Sequence, residues 1–333
     1  MRRTLAVTVL LLVTTPPAVA EDYPHVVLKN DKLKFTLYEA DATKGFYRGT
    51  RFDHAGVFGN VEFAGHKIFG PWKDTHDPTN HDDIVGPCDE FGIDSPLGYD
   101  DAKVGGTFLK IGVGELEKPK EAKYSFANKY KVVKPLEWKV SDKVEGVTIP
   151  VRRWETEQKA NGYGYSYSKT IRLDEERAAI VLDYKLKNTG EKRIVTDFYN
   201  HNFFNVDGDP VGPNYSFVFP FEPKAKDLKG KFGDLVELKD KTLRFKDNLS
   251  DGFVMAGLTG FDAKNGKHRY FTMRHAPSGV KILVGANYPL AKLNVWGIKT
   301  TICPEPFMAI DLKPGEEMKW VIVYEFECAP PKK

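Results

Sequence analysis

Two segments of the chain hold residue types suited to moving protons. The first reads Thr196-Asp-Phe-Tyr-Asn-His-Asn-Phe-Phe-Asn-Val-Asp207. His201 sits there between Asn200 and Asn202, in an aromatic setting. Histidine titrates near neutrality, so such a residue can serve as a general acid. The plain alternative is a histidine satisfied within a strand-end network. The second segment reads Val295-Trp-Gly-Ile-Lys-Thr-Thr-Ile-Cys-Pro-Glu-Pro-Phe307. Glu305 lies between Pro304 and Pro306, just past an apolar, strand-like stretch. Proline fixes φ, so the carboxylate is held rigidly. Its flanks are Ile302, Pro304, Pro306 and Phe307, with no other charge. Apolar surroundings raise a carboxyl's pKa and suit a base working near neutral pH. A surface glutamate in a turn is the plain alternative.

The elements that must position these groups read as strands. Lys34–Tyr38, Ala179–Tyr184, Val280–Val284 and Trp320–Phe326 are short and rich in β-branched or aromatic residues, and Gly, Pro, Asn or Asp bound them. Tyr163, Tyr165 and Tyr167 alternate with Gly and Ser at the strand period. Hairpin-type turns are expected at Asn188-Thr-Gly190 and Asn265-Gly266. No segment sustains a 3.6-residue apolar period. The 29 Gly and 21 Pro fit a chain of many turns. The expected fold is all-β, one large double sheet in a single domain spanning 21–333. No linker or low-complexity tract divides it. The stretch from Pro71 to Gly98 lacks strand character and is expected to be a long loop, where function often resides.

The N-terminus has the form of a secretory signal over residues 1–20. Arg2 and Arg3 precede an apolar run from Leu5 to Val13, and Ala18-Val19-Ala20 precedes Glu21. That run is too short for a membrane span, which needs about 20 residues. The expected location is therefore secreted or periplasmic, with no membrane attachment after cleavage. The full chain carries a formal charge of +3. Cleavage removes two arginines and no acid. A nearly neutral mature chain argues against nucleic acid as a partner. Cys88, Cys303 and Cys328 allow at most one intramolecular disulfide, and the sequence does not choose the pair. No Cys/His spacing suggests a metal. Asp207-Gly-Asp209 looks like a fragment of a calcium loop but lacks the rest, and reads better as a turn.

The segment Asn200-His-Asn-Phe-Phe-Asn resembles the Asn-His-x-Tyr-Phe-Asn signature of aldose 1-epimerases. Ile302-Cys-Pro-Glu-Pro-Phe is similar to their Cys-x-Glu-Pro stretch, which holds the catalytic base. Asp251-Gly-Phe-Val-Met resembles the piece carrying a substrate-binding Asp. Ser278–Val284, Trp296 and the closing Leu312-Lys-Pro-Gly-Glu follow in the family's order. The resemblance covers about residues 170 to 327. It implies a galactose mutarotase-like β-supersandwich with one open cleft and no cofactor. In that family the Glu takes the anomeric proton and the His protonates the ring oxygen. Carried over, Glu305 is the base and His201 the acid, facing each other across a sugar-sized gap. Asn200, Asn202 and Asp251 supply hydroxyl contacts, and Trp296 stacks on a sugar face or packs in the core.

The N-terminal half departs from the pattern, because the family's Asn-Arg and Leu-His-Gly-Gly motifs are absent as written. By order along the chain, Arg51 takes the place of the sugar-binding arginine. His81 or Glu90 is expected to line the pocket from the long loop. Arg48, Arg51 and Asp53 read equally well as a surface strand of alternating charge. The expected partner is a small sugar or oligosaccharide. Two other functions stay open: a lyase or hydrolase on a polysaccharide, drawing on Arg51, Asp53, His54, His81 and Glu90, or a carbohydrate-binding protein without turnover.

Overall fold

A computed structural model of the protein describes residues 23–121, 123–264 and 268–329. The signal reading over residues 1–20 and the turn at Asn265-Gly266 lie outside the described residues.

The long strands pair where β-branched and aromatic residues alternate with polar ones. Ala179–Asn188 lies between Tyr163–Leu173 and Glu317–Cys328, at the middle of a ten-stranded antiparallel sheet. A six-stranded antiparallel sheet runs in the order Lys224–Gly230, Phe253–Thr259, Lys292–Ile298, Thr301–Leu312, Ile194–His201 and Cys88–Phe91. A four-stranded sheet at the N-terminal end and a three-stranded sheet complete the set. The only helix among the described residues is the single turn Phe232–Leu235.

The two large sheets pack face to face. Phe198 of the smaller sheet meets Tyr184 and Trp320 of the larger at ring centroid distances of 5.3 and 5.1 Å. Phe204 reaches Phe271 at 6.0 Å. Fully burying such a side chain contributes about 1.5–3 kcal/mol. The four-stranded sheet joins the same core, with Phe63 against Phe326 at 5.6 Å. One apolar core runs from Leu28 to Phe326. A smaller cluster around Tyr99, Phe108 and Tyr130 lies beside it.

Three local expectations change. Asn188-Thr-Gly190 is not a hairpin. It carries the chain from the ten-stranded to the six-stranded sheet, because Ala179–Asn188 and Ile194–His201 lie in different layers. Asn188 braces that crossing by donating through Nδ2 to Lys192 O and Leu312 O, both at 2.9 Å. The stretch Pro71 to Gly98 is not loop throughout. Cys88–Phe91 is a fully buried strand paired with Ile194–His201. Its two acids hide the pattern, since Asp89 and Glu90 are buried against cations rather than turned to water. The stretch from Tyr47 to Gly56 is not a surface strand. It is irregular until Val57, and both Arg51 and Asp53 are buried.

Candidate functional site

Strand alternation decides which side chains leave the core. In Lys292–Ile298, Leu293 and Val295 face the ten-stranded sheet. Lys292, Asn294 and Trp296 face the other way and are half-buried. In Thr301–Leu312 the partners of Asn294 and Lys292 are Glu305 and Phe307. In Ile194–His201, Phe198 and Asn200 turn inward, which leaves Tyr199 and His201 on the outer face. One face of the six-stranded sheet therefore gathers Trp296, Asn294, Lys292, Glu305, Tyr199 and His201.

Glu305 lies within a strand rather than past one. Proline is normally excluded from a central strand because it cannot donate to the ladder. Here Ile302 N–H bonds to Phe204 O. By alternation, the nitrogens of Pro304 and Pro306 point to that same side. The neighbour Ile194–His201 has stopped pairing there, since its last partner is Phe307, opposite Tyr199. The prolines thus fall where no ladder donor is required. Pro304 O instead accepts from Asn202 Nδ2 at 2.5 Å.

His201 Nε2 lies 3.2 Å from Glu305 Oε1, and both side chains are more than nine-tenths buried. The two groups touch, where a sugar-sized gap was expected. Burial raises the Glu305 pKa to about 7, and the positive charge of Arg51 opposes that only in part. Burial, and secondarily Arg51, holds His201 well below its ordinary value. Near neutral pH the imidazole is uncharged and the carboxyl is close to half ionised. Asn294 Nδ2 supports the other carboxyl oxygen at 3.4 Å.

Aromatic rings fix the imidazole. Phe203 stacks on it at 3.9 Å, and Phe52 and Trp296 meet it edge-on at 5.7 and 5.6 Å. Trp72 stacks on the far side of Phe203 at 5.0 Å. Phe203 itself has φ +41°, a left-handed conformation that is costly for a bulky residue. That backbone turns its ring back over His201. His201 Nδ1 is buried with no hydrogen-bond partner.

Arg51 borders the pair from the irregular Tyr47–Gly56 segment. Its Nε donates to Glu90 Oε2 and its Nη2 to Tyr199 Oη, both at 2.8 Å. The guanidinium lies between the rings of Phe52 and Phe126, at 4.4 and 4.2 Å. Glu90 is completely buried behind it. Glu90 also accepts from Tyr199 Oη at 2.6 Å and from Lys110 Nζ at 3.0 Å. It is thus an anchor for Arg51, with no surface left for a substrate. His81 sits at the rim, its ring 6.1 Å from Phe126.

The other sequence candidates lie elsewhere. Asn200 faces the interior and donates to Asp89. Asn202 is buried, clamped between Pro304 O and the Tyr324 hydroxyl. Asp251 is exposed and pairs with Lys231 at the surface. Asp53 is buried beside Tyr167, and His54 Nε2 bonds to Gly49 O. Asp207 takes a turn conformation and binds His66 Nδ1. Among the described residues no group of three or more His, Cys, Asp or Glu has metal-holding geometry. Cys88, Cys303 and Cys328 are all free thiols.

The sequence reading missed Tyr199, Asn294, Lys292 and Trp72. Tyr199 was within reach, because it lies two residues before His201 and shares its face. Asn294 and Lys292 share a face with Trp296 by the same period, yet only the register with Glu305 shows what they flank. A groove of about 510 Å³ lies on the outer surface of the ten-stranded sheet, lined by Trp138, Glu155 and Lys185. Of its charged groups, Arg153 pairs with Glu155 and Lys185 with Glu317 at the surface. We place the site at the buried His201–Glu305 pair, where burial shifts both titrations.

No protein-family model and no curated protein matches the sequence. Solved structures do match. The Slr1438 protein of Synechocystis sp. PCC 6803 superposes with a TM-score of 0.59 at 14% identity, over 95% of this chain and all of that one. A galactose mutarotase-like protein of Clostridium acetobutylicum gives 0.55 at 13% identity, over 92% and 95%. Another from Lactobacillus casei ATCC 334 gives 0.52 at 13%, over 91% and 100%. The chain has the galactose mutarotase-like fold. In this fold the large double sheet brings the Asn200–Asn205 and Ile302–Phe307 segments side by side.

Proposed function

We propose that this protein interconverts the anomers of an aldose, with Glu305 and His201 as the proton-transferring pair. The observation that carries the reading is their 3.2 Å contact on the outer sheet face, with Glu305 poised at about 7. A free sugar would enter over Trp296 and separate the two groups. The pair holds one proton in its working form. In the resting pair that proton sits on Glu305; it passes across the 3.2 Å contact to His201 as the sugar arrives, and the Glu305 carboxylate then takes the hydrogen of the anomeric hydroxyl. His201 gives its proton to the ring oxygen as the bond from that oxygen to the anomeric carbon breaks. The open-chain aldehyde turns about its bond to the next carbon, and the steps reverse onto its other face. The proton count of the pair is restored, and no redox change occurs.

The fold similarity supports a sugar as the ligand class, and the signal-like residues 1–20 support action outside the cytoplasm. Hydrolysis of a glycosidic bond is less well served. It calls for two working carboxyl groups about 5–9.5 Å apart. Glu90 is consumed by Arg51 and Lys110, and Asp197 accepts the Ile93 N–H at 3.1 Å. That leaves Glu305.

The test is polarimetry or NMR of freshly dissolved single anomers across a panel of aldoses. Wild type is expected to speed equilibration. Glu305→Gln and His201→Asn are each expected to lose at least 100-fold in kcat, since positioned proton transfer is worth about 10²–10⁴-fold. Equilibration at the spontaneous rate on every sugar would sink the proposal.

A further inference from the structure

The site face carries a cation with no assigned partner. Lys292 lies two residues from Asn294 on the same strand, and Asn294 is the cross-strand partner of Glu305. Its Nζ is 3.8 Å from the centroid of Phe307, which stacks on Tyr199 at 4.2 Å. The ammonium is therefore steered along an aromatic wall beside the pair. Its charge acts on two carboxyl groups of the site face, Glu305 and Asp197. Neither forms an ion pair with it, and Asp197 is held by the Ile93 N–H. Arg51, the other cation bordering the site, is held by Glu90, which it shares with Lys110. Lys292 is thus a half-buried cation on the site face with no carboxylate bonded to it.

Alternate residues on a strand stand about 7 Å apart. The backbone of Lys292 is therefore one such step from that of Asn294, the cross-strand partner of Glu305, so a single pyranose can reach from the lysine to the proton-transferring end. We infer that the substrate is an acidic aldose, a uronic acid whose carboxylate lies against Lys292 while its anomeric carbon meets Glu305 and His201. A single lysine suits a monoanion. A phosphate dianion calls for more donors than this corner offers. The inference rests on the anomerase reading of the same site and names its substrate class.

The experiment compares kcat/KM for anomer equilibration of glucuronate and galacturonate with glucose and galactose, and with glucose 6-phosphate. The uronates are expected to be preferred, and their KM to rise with ionic strength. A hydrogen bond between charged groups is expected to set the ratio of uronate to neutral sugar. Lys292→Met should lower that ratio 10- to 100-fold. Lys292→Arg should restore most of it, which guards against a variant that merely folds poorly. Neutral sugars turned over as well as uronates, with a ratio that Lys292→Met does not move, would overturn the inference while leaving the anomerase reading intact. A preference for the sugar phosphate over the uronates would overturn it too. No acceleration on any sugar would overturn both.

Discussion

At the residue scale, burial sets opposite directions on the two groups of the pair, while the Arg51 charge lowers both. Glu305 is raised to about 7 and His201 is pushed well below 6.5. The one-proton form therefore exists between those two values. In the free enzyme kcat/KM should be flat below neutrality and fall about tenfold per unit above pH 7. On the acid side it should fall only well below 6.5, once the imidazole also protonates. A pH–rate profile in non-interacting buffers reads both limbs. Stability follows the same sign. A carboxyl whose folded pKa is raised contributes stability that is complete below its unfolded value, near 4.5, and is lost as pH rises through 7. The shift corresponds to about 3 kcal/mol, for a side chain that burial screens little from its neighbours. Glu305→Gln removes this loss. Its stability relative to wild type should improve between pH 4.5 and 8 by about that amount, measured by urea unfolding at each pH. A variant that tracks wild type across the range would show that Glu305 is not desolvated as described.

At the element scale, the site depends on where the strand Ile194–His201 stops. Past His201 the chain must leave the ladder, pass under Gly86 and turn at Phe203. A Cβ on Gly86 would stand 2.2 Å from Asn202 O and 2.9 Å from Phe203 Cβ. Neither is the free end of a flexible side chain, so the backbone would have to shift. Gly86→Ala should cost about 2 kcal/mol or more of stability, within the range for overpacking. It should also lower kcat by moving the imidazole. Near-UV circular dichroism from the Trp72–Phe203 stack would register the shift, and an unchanged melting point would contradict the close approach. This junction explains what the sequence could and could not tell. Strands with clean alternation were readable, as Ala179–Asn188 and Glu317–Cys328 were. Cys88–Phe91 was not, because its polar residues are buried and bonded, so the usual pattern is inverted. The His201 and Glu305 segments were readable as chemistry because their residue types are unusual for their apolar surroundings. Asn200 and Asn202 were misplaced for a simple reason. On a strand the immediate neighbour of a site residue points to the opposite face, as Asn200 does, and Asn202, just past the strand end, is drawn inward by Pro304 O and the Tyr324 hydroxyl.

At the scale of the whole molecule, three layers meet on one buried lysine. Lys169 belongs to the ten-stranded sheet. Its Nζ reaches Asp89 of the six-stranded sheet at 2.8 Å, Asp53 of the N-terminal segment at 3.9 Å, and Ala55 O at 2.8 Å. Tyr184 and Asn200 complete the shell of Asp89, and Tyr167 bonds to Asp53. Arg51 and Phe52 precede Asp53, so this buried knot also locates the guanidinium at the site. A buried ion pair adds little over well-packed apolar residues, yet removing one partner leaves charges stranded in low dielectric. Lys169→Met would strand two aspartates. Burial already raises Asp53 to about 7, with Lys169 as the main opposing influence. Without that lysine, Asp53 would bind its proton at higher pH than in wild type. At pH 8 Asp53 is ionised in the unfolded chain and must either stay charged or take up a proton on folding, while Asp89 loses its ion-pair partner. The expected cost is about 3–5 kcal/mol at pH 8. At pH 5 it should shrink, because the raised Asp53 is then protonated in the folded state at little expense. Urea unfolding of wild type and Lys169→Met at the two pH values separates the cases. A loss equal at both would mean that the lysine acts by packing. A loss that falls with pH would mean that its charge holds the layers, and Arg51 with them, in register.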